Sequence, residues 1–499
     1  MTGIPPSTTT PALDTSPRPA VVLRLVYLAT TVATMGLSVV VATGDLGKTA
    51  TGGLTILVLL GLLAMGIPVG FAMILAAVVA MIGIRDVQLA ESSLQSITFE
   101  GVASWSYSVI PMFVLMGIAM WVSGVTGRAY GSARVWFRQL PGGLGITTNF
   151  AGAVLSSASG STMGITMALT KMAVPEMLRA KYSPALATGS VTMAGTLGQL
   201  IPPSVLLVIY AGVAETPIGP QLLSGIVPGA IIAVAYCVVI AAWAVLVPTA
   251  APRSERVTST WAQQLRAVTQ LLPVIAIMLP VLGGMYAGIF TATEAGAVGA
   301  VVSVLVSYFA QTRDGNGGRL GPLRFVATCV RESITSVAGI FLIVIGALML
   351  TSAIARSGLA TLVTEELIAW NLTRVQLLIV LILVYLVLGM FLESLPMILL
   401  TVPILAPALE AAGVDLVWFG VFIVIMCEIG MVFPPIGMLV FVVNRLVQEP
   451  RTNLGERITL TTQFRGVLPF VAAAAAILVL LIMWPDLVTW LPYRSDSGG

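Results

Sequence analysis

Charged residues are scarce in this sequence, and histidine is absent. Only 9% of its 499 residues are Asp, Glu, Lys or Arg, compared with about a quarter in a typical soluble domain. Hydrophobic residues make up 58%. Apolar runs of about 18 residues or more, each long enough to cross the hydrocarbon core of a bilayer, recur along most of the chain. These features exclude a soluble globular protein and predict an all-α polytopic membrane protein.

The few metal-binding and basic residues exclude several function classes. Cys237, Cys329 and Cys427 are far apart and none forms a CxxC pair, so a zinc, haem or disulfide framework is not expected. The net charge of +3 is scattered, without the basic patch that nucleic-acid binding needs. The GKT at 47–49 resembles the end of a phosphate-binding loop. The earlier glycine that this loop requires would fall at Ala42, so ATP hydrolysis is not expected. We predict no catalytic residues, no cofactor and no metal beyond sodium.

Changes in composition divide the chain into parts. Residues 1–20 are rich in Pro, Ser and Thr and are predicted to be a disordered tail. Residues 21–50 are predicted to form an extra N-terminal span and its loop. The remaining parts are a first half (51–310) with a hairpin at about 146–170 and a broken helix at about 185–214, a polar linker (311–331), a second half (332–490) with a hairpin at about 391–410 and a broken helix at about 416–443, and a C-terminal tail (491–499).

Short motifs recur in the same order in both halves, which predicts an internal duplication. The matching pairs are Phe113 with Phe341 and Pro175 with Pro403, both 228 residues apart, and Pro202 with Pro434, 232 residues apart. Apolar sequences with many Gly and Pro also match each other easily, so the alternative is a chance similarity of composition.

Each half contains two places where an apolar run is interrupted. They are SSASGST (156–162) and GTLGQLIPPS (195–204) in the first half, and FLESLP (391–396) and EIGMVFPPIG (428–437) in the second. A proline within a helix costs about 3 kcal/mol, and an orphaned backbone group in hydrocarbon adds to this cost. Such breaks persist where protein, water or an ion satisfies the freed groups, and transporters place binding sites at paired breaks.

We therefore predict that the four breaks form one site for sodium and substrate. Hydroxyl and carbonyl oxygens suit Na⁺, helix N-termini suit an anion, and glycines let the backbone approach a ligand. Glu428 occupies the place of Thr196 in the other repeat (196 + 232 = 428), and ionisable groups at membrane depth point to function. The predicted site residues are Ser159, Gly160, Ser161, Thr162, Gly195, Thr196, Gly198, Pro202, Pro203, Glu393, Ser394, Glu428, Gly430, Pro434 and Pro435.

Structural explanations compete with this interpretation. Small and hydroxylated residues also allow close helix packing, with the hydroxyls bonded to their own helix. Glu294 lies in TATE, which is also typical of a helix capping box. The amphipathic stretches 131–143 and 364–374 carry charges beside Trp and are predicted to lie flat at the membrane interface.

Five stretches resemble the large membrane subunit of tripartite ATP-independent periplasmic (TRAP) transporters, in order over roughly residues 52–490. They are SASGSTMGITMALTKMAVPEM, AGTLGQLIPPSVLLVIYAGV, LLSGIVPG, GIFTATEAGAVGA and the run from FLESLPMILLTVPILAP to CEIGMVFPPIGMLVFVVN. Two features depart from the family pattern. Glu393-Ser394 stands where many relatives have Asp-Pro, and residues 1–50 lie outside the core pattern.

The resemblance implies a fold, a function and partners. The fold would be an elevator-type transporter with inverted repeats and two re-entrant helical hairpins. The function would be sodium-driven uptake (symport) of an organic acid, a carboxylate, across the bacterial inner membrane. The partners would be a small four-helix membrane subunit on a separate chain and a soluble periplasmic substrate-binding protein.

Three other functions would make different demands on the chain. A receptor-independent ion-coupled carboxylate carrier of related fold would need neither partner. A membrane enzyme would need a metal or acid–base cluster, for which the chain has no His and no DxxD-type carboxylate pair. An interaction scaffold would not need four costly helix breaks.

Overall fold

The structure is a computed structural model that describes residues 18–44, 46–159, 162–252, 260–311 and 319–496. The regular elements among these residues are all helical. Those up to residue 311 are α1 (Arg18–Thr43), α2 (Lys48–Ala64), α3 (Val69–Ile84), α4 (Val87–Ala103), α5 (Val109–Val122), α6 (Val125–Phe137), α7 (Gly143–Ser159), α8 (Thr162–Arg179), α9 (Pro184–Thr196), α10 (Val205–Val213), α11 (Ile218–Ser224), α12 (Ile226–Leu246), α13 (Trp261–Tyr286) and α14 (Ala292–Phe309). Those after it are α15 (Pro322–Ser357), α16 (Leu359–Ala369), α17 (Arg374–Gly389), α18 (Ser394–Ala411), α19 (Leu416–Val432), α20 (Met438–Leu446), α21 (Pro450–Asn453), α22 (Leu460–Met483) and α23 (Asp486–Asp496). Short 3₁₀ turns occupy Trp105–Ser108 and Leu197–Gln199.

Several predicted segments fall partly or wholly outside the described residues. They are the tail up to residue 17, Gly160, Ser161, the side chain of Ser159, linker residues 312–318 and the last three residues. The rest of the predicted linker differs from the prediction, because Pro322 begins α15. Proline is well tolerated at the first position of a helix, where its missing N–H would have no partner in any case.

Among the described residues, six helical stretches are long and apolar enough to cross a membrane, or seven if the bent α5–α6 pair counts as one span. α5 and α6 meet at an angle of 66°. Gly124 makes this bend in the left-handed conformation (φ 72°), which glycine adopts without strain. Gly358 makes the corresponding connection between α15 and α16, with φ 73°. The amphipathic stretches 131–143 and 364–374 begin on α6 and α16, after these two glycines.

The helix order repeats, and its helix starts agree with the 232-residue separation of the Pro-Pro motifs but not with the 228-residue separation of the other two motif pairs. The two left-handed glycines are 234 residues apart (358 − 124), and the starts of α8 and α18 are 232 apart (394 − 162). A separation of 232 pairs Pro175 with Pro407 (175 + 232) rather than with Pro403. Apolar helices rich in small residues match in several registers, whereas the starts of α8 and α18 fix one.

Two hairpins and two broken helices form the centre of the molecule. α7 and α8 make the first hairpin, and α17 and α18 make the second, so the second hairpin extends further back than the predicted 391–410. The first broken helix is α9 with α10, and the second is α19 with α20. Both breaks contain a cis Pro–Pro peptide bond, at Pro202–Pro203 and at Pro434–Pro435.

The broken helices lie at the core, and glycines let other helices cross them closely. All residues of α9 from Leu186 onward and all of α19 from Val417 onward are buried. α17 crosses α19 where Gly389 faces Gly430, and α22 crosses α9 where Gly466 faces Gly189. On one side, α5 and α15 pack against each other and against α10 and α18. We call α3, α5, α14 and α15 the scaffold, and the hairpins with the broken helices the central unit.

Candidate functional site

All four interruptions reach one cavity of about 700 Å³ between the scaffold and the central unit. The first hairpin contributes Thr162 at the start of α8, and the second contributes Glu393 and Ser394 at its tip. The first broken helix contributes Gln199, and the second contributes Met431 near the end of α19. The structure thus brings together breaks that are more than 200 residues apart in sequence.

The opposite wall of the cavity is largely apolar and comes from the scaffold. α5 supplies residues from Val114 to Trp121, and α15 supplies residues from Ser336 to Ile343. Ser336 and Thr126 add hydroxyl groups to this wall. The lining therefore combines a dry face with a few polar groups, as is usual for small-molecule sites.

Glu428 links the first hairpin to the second broken helix. Thr162 Oγ1 donates a hydrogen bond to Glu428 Oε1 at 3.5 Å, and both side chains are buried. Glu428 is only 6% exposed, and its Oε2 atom has no hydrogen-bond partner. Within the described ranges it is the one buried Asp, Glu, Lys or Arg. A buried carboxylate without a cation is costly, so this group has the chemistry of a cation site.

A second, small cavity lies beside Glu428. Thr196, Tyr236 and Glu428 are among its lining residues, and its volume is about 20 Å³, enough for one water-sized occupant. Thr196 Oγ1 donates to the Met193 carbonyl at 2.8 Å, so its oxygen still has lone pairs to offer. The repeat-equivalent residues Thr196 and Glu428 therefore meet at one place, as the repeat alignment predicted.

Gly195 brings the first broken helix against the first hairpin. A Cβ atom at Gly195 would collide with Thr166 Oγ1 on α8. Thr166 Oγ1 is itself buried without a hydrogen-bond partner. Close packing of α8 and α9 explains this glycine, and the packing leaves the Thr166 hydroxyl buried without a hydrogen-bond partner.

Three helices begin at the large cavity. Thr162, Val205 and Ser394 are the first residues of α8, α10 and α18, and all three line it. Helix N-termini present unpaired N–H groups and a partial positive charge. Ser204 caps α10 by accepting a hydrogen bond from Leu207 N at 3.2 Å. The described lining residues include no Arg or Lys, so these N-termini are the groups there that suit an anion.

Comparison with known proteins identifies the family. Residues 56–487 match the family model described as "Tripartite ATP-independent periplasmic transporter, DctM component". The chain belongs to this family. The predicted resemblance is therefore confirmed, and it covers nearly the predicted part of the chain.

Similar proteins span almost the whole TRAP permease. The permease is 30% identical over 441 residues to the sialic acid TRAP transporter large permease protein SiaM of Vibrio cholerae, covering 87% of this chain and 96% of that one. The permease is 31% identical over 397 residues to the C4-dicarboxylate TRAP transporter large permease protein DctM of Pseudomonas aeruginosa, covering 80% of this chain and 87% of that one. The crystal structure of the Alcanivorax borkumensis YdaH transporter shares the fold, with a TM-score of 0.59 at 13% identity over 82% of this chain and 90% of that one. The chain is thus a multi-pass transporter permease and not an enzyme.

The other predicted site residues of the permease that the structure describes line neither of the two cavities. Pro202 and Pro203 are buried in the first break, whereas Pro434 and Pro435 are more exposed in the second. Gly198 lies in the buried 3₁₀ turn before Gln199. These residues shape the breaks, and whether they contact an ion stays a prediction.

Gly430 has a packing explanation. A Cβ atom at Gly430 would lie 2.8 Å from the Cα atom of Gly389 on α17. Both atoms belong to main chains that cannot move independently of their helices. The competing structural explanation therefore accounts for the presence of glycine at this position.

We expect Gly430→Ala to destabilise the permease by roughly 1–3 kcal/mol, because the added methyl group overpacks the α17–α19 crossing. Thermal unfolding of the detergent-solubilised protein measures the effect. Gly131→Ala is the matched control, since a Cβ atom on this α6 glycine meets nothing within 4 Å. A variant Gly430→Ala as stable as the wild type would contradict this packing account.

The acidic residues Glu393 and Glu294 lie in different environments. Glu393 precedes α18 and lines the large cavity. Glu294 forms a capping box with Thr291 at the start of α14, with Thr291 N donating to its carboxylate at 2.8 Å, and it is exposed. For Glu294 the structural explanation therefore applies.

Sequence reasoning missed Gln199 and Thr166. Gln199 lies in the quoted break GTLGQLIPPS, and a lone amide among leucines could have marked it. Thr166 could have been found from helix periodicity, because it lies four residues after Thr162 and hence on the same face of α8.

Proposed function

We propose that this permease imports an organic acid together with sodium ions across the bacterial inner membrane, receiving the acid from a periplasmic binding protein. The observation that carries the proposal is the convergence of both hairpins and both broken helices on one cavity beside a buried carboxylate. Costly helix breaks and a costly buried charge in the same place are explained if a ligand and a cation bind there.

Sodium is proposed to bind between Glu428, Thr162 and Thr196. A monovalent cation would neutralise the buried Glu428 carboxylate and use the free lone pairs of the threonine hydroxyls. Na⁺ prefers hard oxygen ligands, and helix breaks supply carbonyl oxygens in addition. The small cavity has the size of a single ion or water.

The acid is proposed to bind in the large cavity with its carboxylate toward the N-termini of α8 and α10. The partial charge of a helix N-terminus attracts anions, and its N–H groups need acceptors. The curated relatives are named for sialic acid, C4-dicarboxylates and 2,3-diketo-L-gulonate. All three are organic acids, which supports an organic acid for this chain.

The motion is proposed to be of the elevator type, with the central unit sliding along the scaffold between inverted repeats. Among the described residues, polar links between the central unit and the scaffold include the hydrogen bond that Thr351 Oγ1 donates to the Leu399 carbonyl at 3.4 Å. An ion pair also joins Arg134 on α6, the helix that follows α5 of the scaffold, to Glu176 on α8 of the central unit. Weak links of this kind permit rigid-body movement.

Uptake by proteoliposomes tests the proposal. The permease is reconstituted with and without a small four-helix subunit and a periplasmic binding protein, under an imposed sodium or potassium gradient. We expect uptake that needs both partners and an inward sodium gradient. Uptake that needs neither partner would favour the receptor-independent carrier instead, and uptake indifferent to sodium would refute sodium coupling.

A further inference from the structure

The small cavity beside Glu428 has one polar wall that belongs to none of the four helix breaks. This wall is Tyr236 on α12, whose side chain is only 2% exposed and lines the cavity. Its hydroxyl lies within hydrogen-bonding reach of the Thr196 hydroxyl and in the electrostatic field of the Glu428 carboxylate. A third oxygen-bearing side chain thus meets the two repeat-equivalent residues, and it comes from a helix outside the hairpins and the broken helices.

The hydrogen bonding around this hydroxyl leaves its lone pairs free for an occupant. Thr196 Oγ1 uses its one proton to donate to the Met193 carbonyl at 2.8 Å. The Tyr236 hydroxyl therefore meets Thr196 as the donor, and a phenol oxygen that donates keeps its capacity to accept. This acceptor capacity is available to a cation held beside Glu428.

Few other side chains offer oxygen to an ion in the small cavity. The other described residues that line it have apolar side chains, and they are Leu197, Leu200, Ile232, Val424, Ile425, Ile429 and Ala474. Among the lining side chains, a cation there depends on the oxygens of Glu428, Thr196 and Tyr236. In apolar surroundings water does not replace a lost ligand, so each of these oxygens contributes strongly to ion affinity.

The position of the Tyr236 ring is fixed by packing. Phe470 on α22 contacts it edge to face, with ring centroids 5.5 Å apart and ring planes at 85°. Ile232, one turn before Tyr236, and Ala474, one turn after Phe470, line the same cavity, so α12 and α22 meet at its edge. A fixed wall around a volume of about 20 Å³ suits a small cation better than a larger one such as potassium.

We propose that Tyr236 is a ligand of the sodium ion beside Glu428 and that its fixed ring makes this site prefer sodium to potassium. The assignment rests on the proposed function, since it adds a residue to the same ion site. Phe470 acts through Tyr236 as a positioning residue, because it holds the ring without lining the cavity.

The sodium dependence of thermal unfolding tests the assignment with the purified permease in detergent. Sodium chloride is titrated against choline chloride at constant ionic strength, and the sodium concentration that gives half of the full rise in melting temperature is measured. We expect Tyr236→Phe to raise this concentration at least about tenfold, because a polar contact to a charged partner is lost. Phenylalanine keeps the ring and its packing against Phe470.

Tyr385→Phe is the matched control. Tyr385 is also buried, its hydroxyl pairs with Thr401 Oγ1 at 2.7 Å, and it lines neither of the two cavities. This variant should have a lower melting temperature in choline chloride and the wild-type half-saturating sodium concentration. The comparison separates the loss of an ion ligand from the loss of a buried hydrogen bond.

Phe470→Leu tests the role of the ring position, because it keeps the Tyr236 hydroxyl and removes the aromatic contact. The titration is repeated with potassium chloride in place of choline chloride. Potassium should leave the half-saturating sodium concentration of the wild type unchanged and raise that of Phe470→Leu at least about twofold, since a looser cavity admits the larger ion.

Two results would overturn the assignment while the wild type responds to sodium. They are an unchanged half-saturating sodium concentration in Tyr236→Phe and an equal increase in Tyr385→Phe. A Phe470→Leu variant as indifferent to potassium as the wild type would overturn the role of the fixed ring. The absence of any sodium response in the wild type would instead count against the proposed function.

Discussion

Replacing Glu428 with glutamine should reduce sodium-dependent uptake roughly 100-fold, because a charge-assisted contact worth about 3 kcal/mol is lost. Glutamine keeps the size of the side chain and can still accept a hydrogen bond from Thr162. It removes the negative charge that a cation would neutralise. Uptake by proteoliposomes, normalised to the amount of folded permease, measures the effect.

Stability should change in the opposite direction in the absence of sodium. Glu428→Gln removes the one buried carboxylate among the described residues, and neutralising an unpaired buried charge relieves its desolvation cost. The sodium-induced rise in melting temperature should disappear. Glu294→Gln is the control, since Glu294 is an exposed capping residue and glutamine also serves in a capping box. Wild-type sodium dependence of uptake in Glu428→Gln would show that this carboxylate is not part of the ion site.

A disulfide between the scaffold and the second hairpin should arrest transport. Thr351 Oγ1 on α15 donates a hydrogen bond to the Leu399 carbonyl on α18 at 3.4 Å, so the two helices lie close enough for a mild oxidant to be tested on cysteines at these two positions. If the central unit slides along the scaffold, the covalent link lowers uptake at least about tenfold, because a required conformational step is blocked. Reductant should restore uptake.

The native cysteines provide the control for this experiment. Cys329 and Cys427 are buried, and Cys237 is partly buried, so the wild type and the two single variants under the same oxidant should keep their activity. Full uptake by the cross-linked double variant would show that α15 and α18 keep their relative position during transport, which contradicts elevator motion.

The two halves share an order of helices but carry different side chains at equivalent positions. At equivalent positions the first half has Thr196 and the second has Glu428. The hairpin tips differ likewise, with Ser and Gly in the first and Glu393 in the second. The two repeats have therefore diverged at the positions that line the two cavities.

Much of this fold could be predicted from the sequence because helix breaks in apolar runs are rare and costly. The residues from 195 to 204 predicted a break, and the structure has one between α9 and α10. The scarcity of charge likewise made Glu428 conspicuous. Composition and local stereochemistry carry this information without any knowledge of tertiary contacts.

Tertiary contacts explain what the sequence left open. The glycine at 430 could serve an ion or a helix crossing, and only the position of Gly389 decides for packing. Gln199 became a candidate only when the cavity and its unpaired oxygen were visible. The repeat register of 232 residues depended on the starts of α8 and α18, and matching of apolar patterns alone cannot distinguish it from neighbouring registers.

The reactivity of a cysteine at Leu395 tests most directly whether the large cavity is the coupled binding site. Leu395 lines the cavity and is half-buried, whereas Ala355 on α15 is exposed and does not line it. Sodium together with a bound organic acid should slow thiol modification of Leu395→Cys at least about tenfold, because ligand fills the cavity, and should leave Ala355→Cys unchanged. Equal modification rates of Leu395→Cys with and without sodium and the acid would contradict the account.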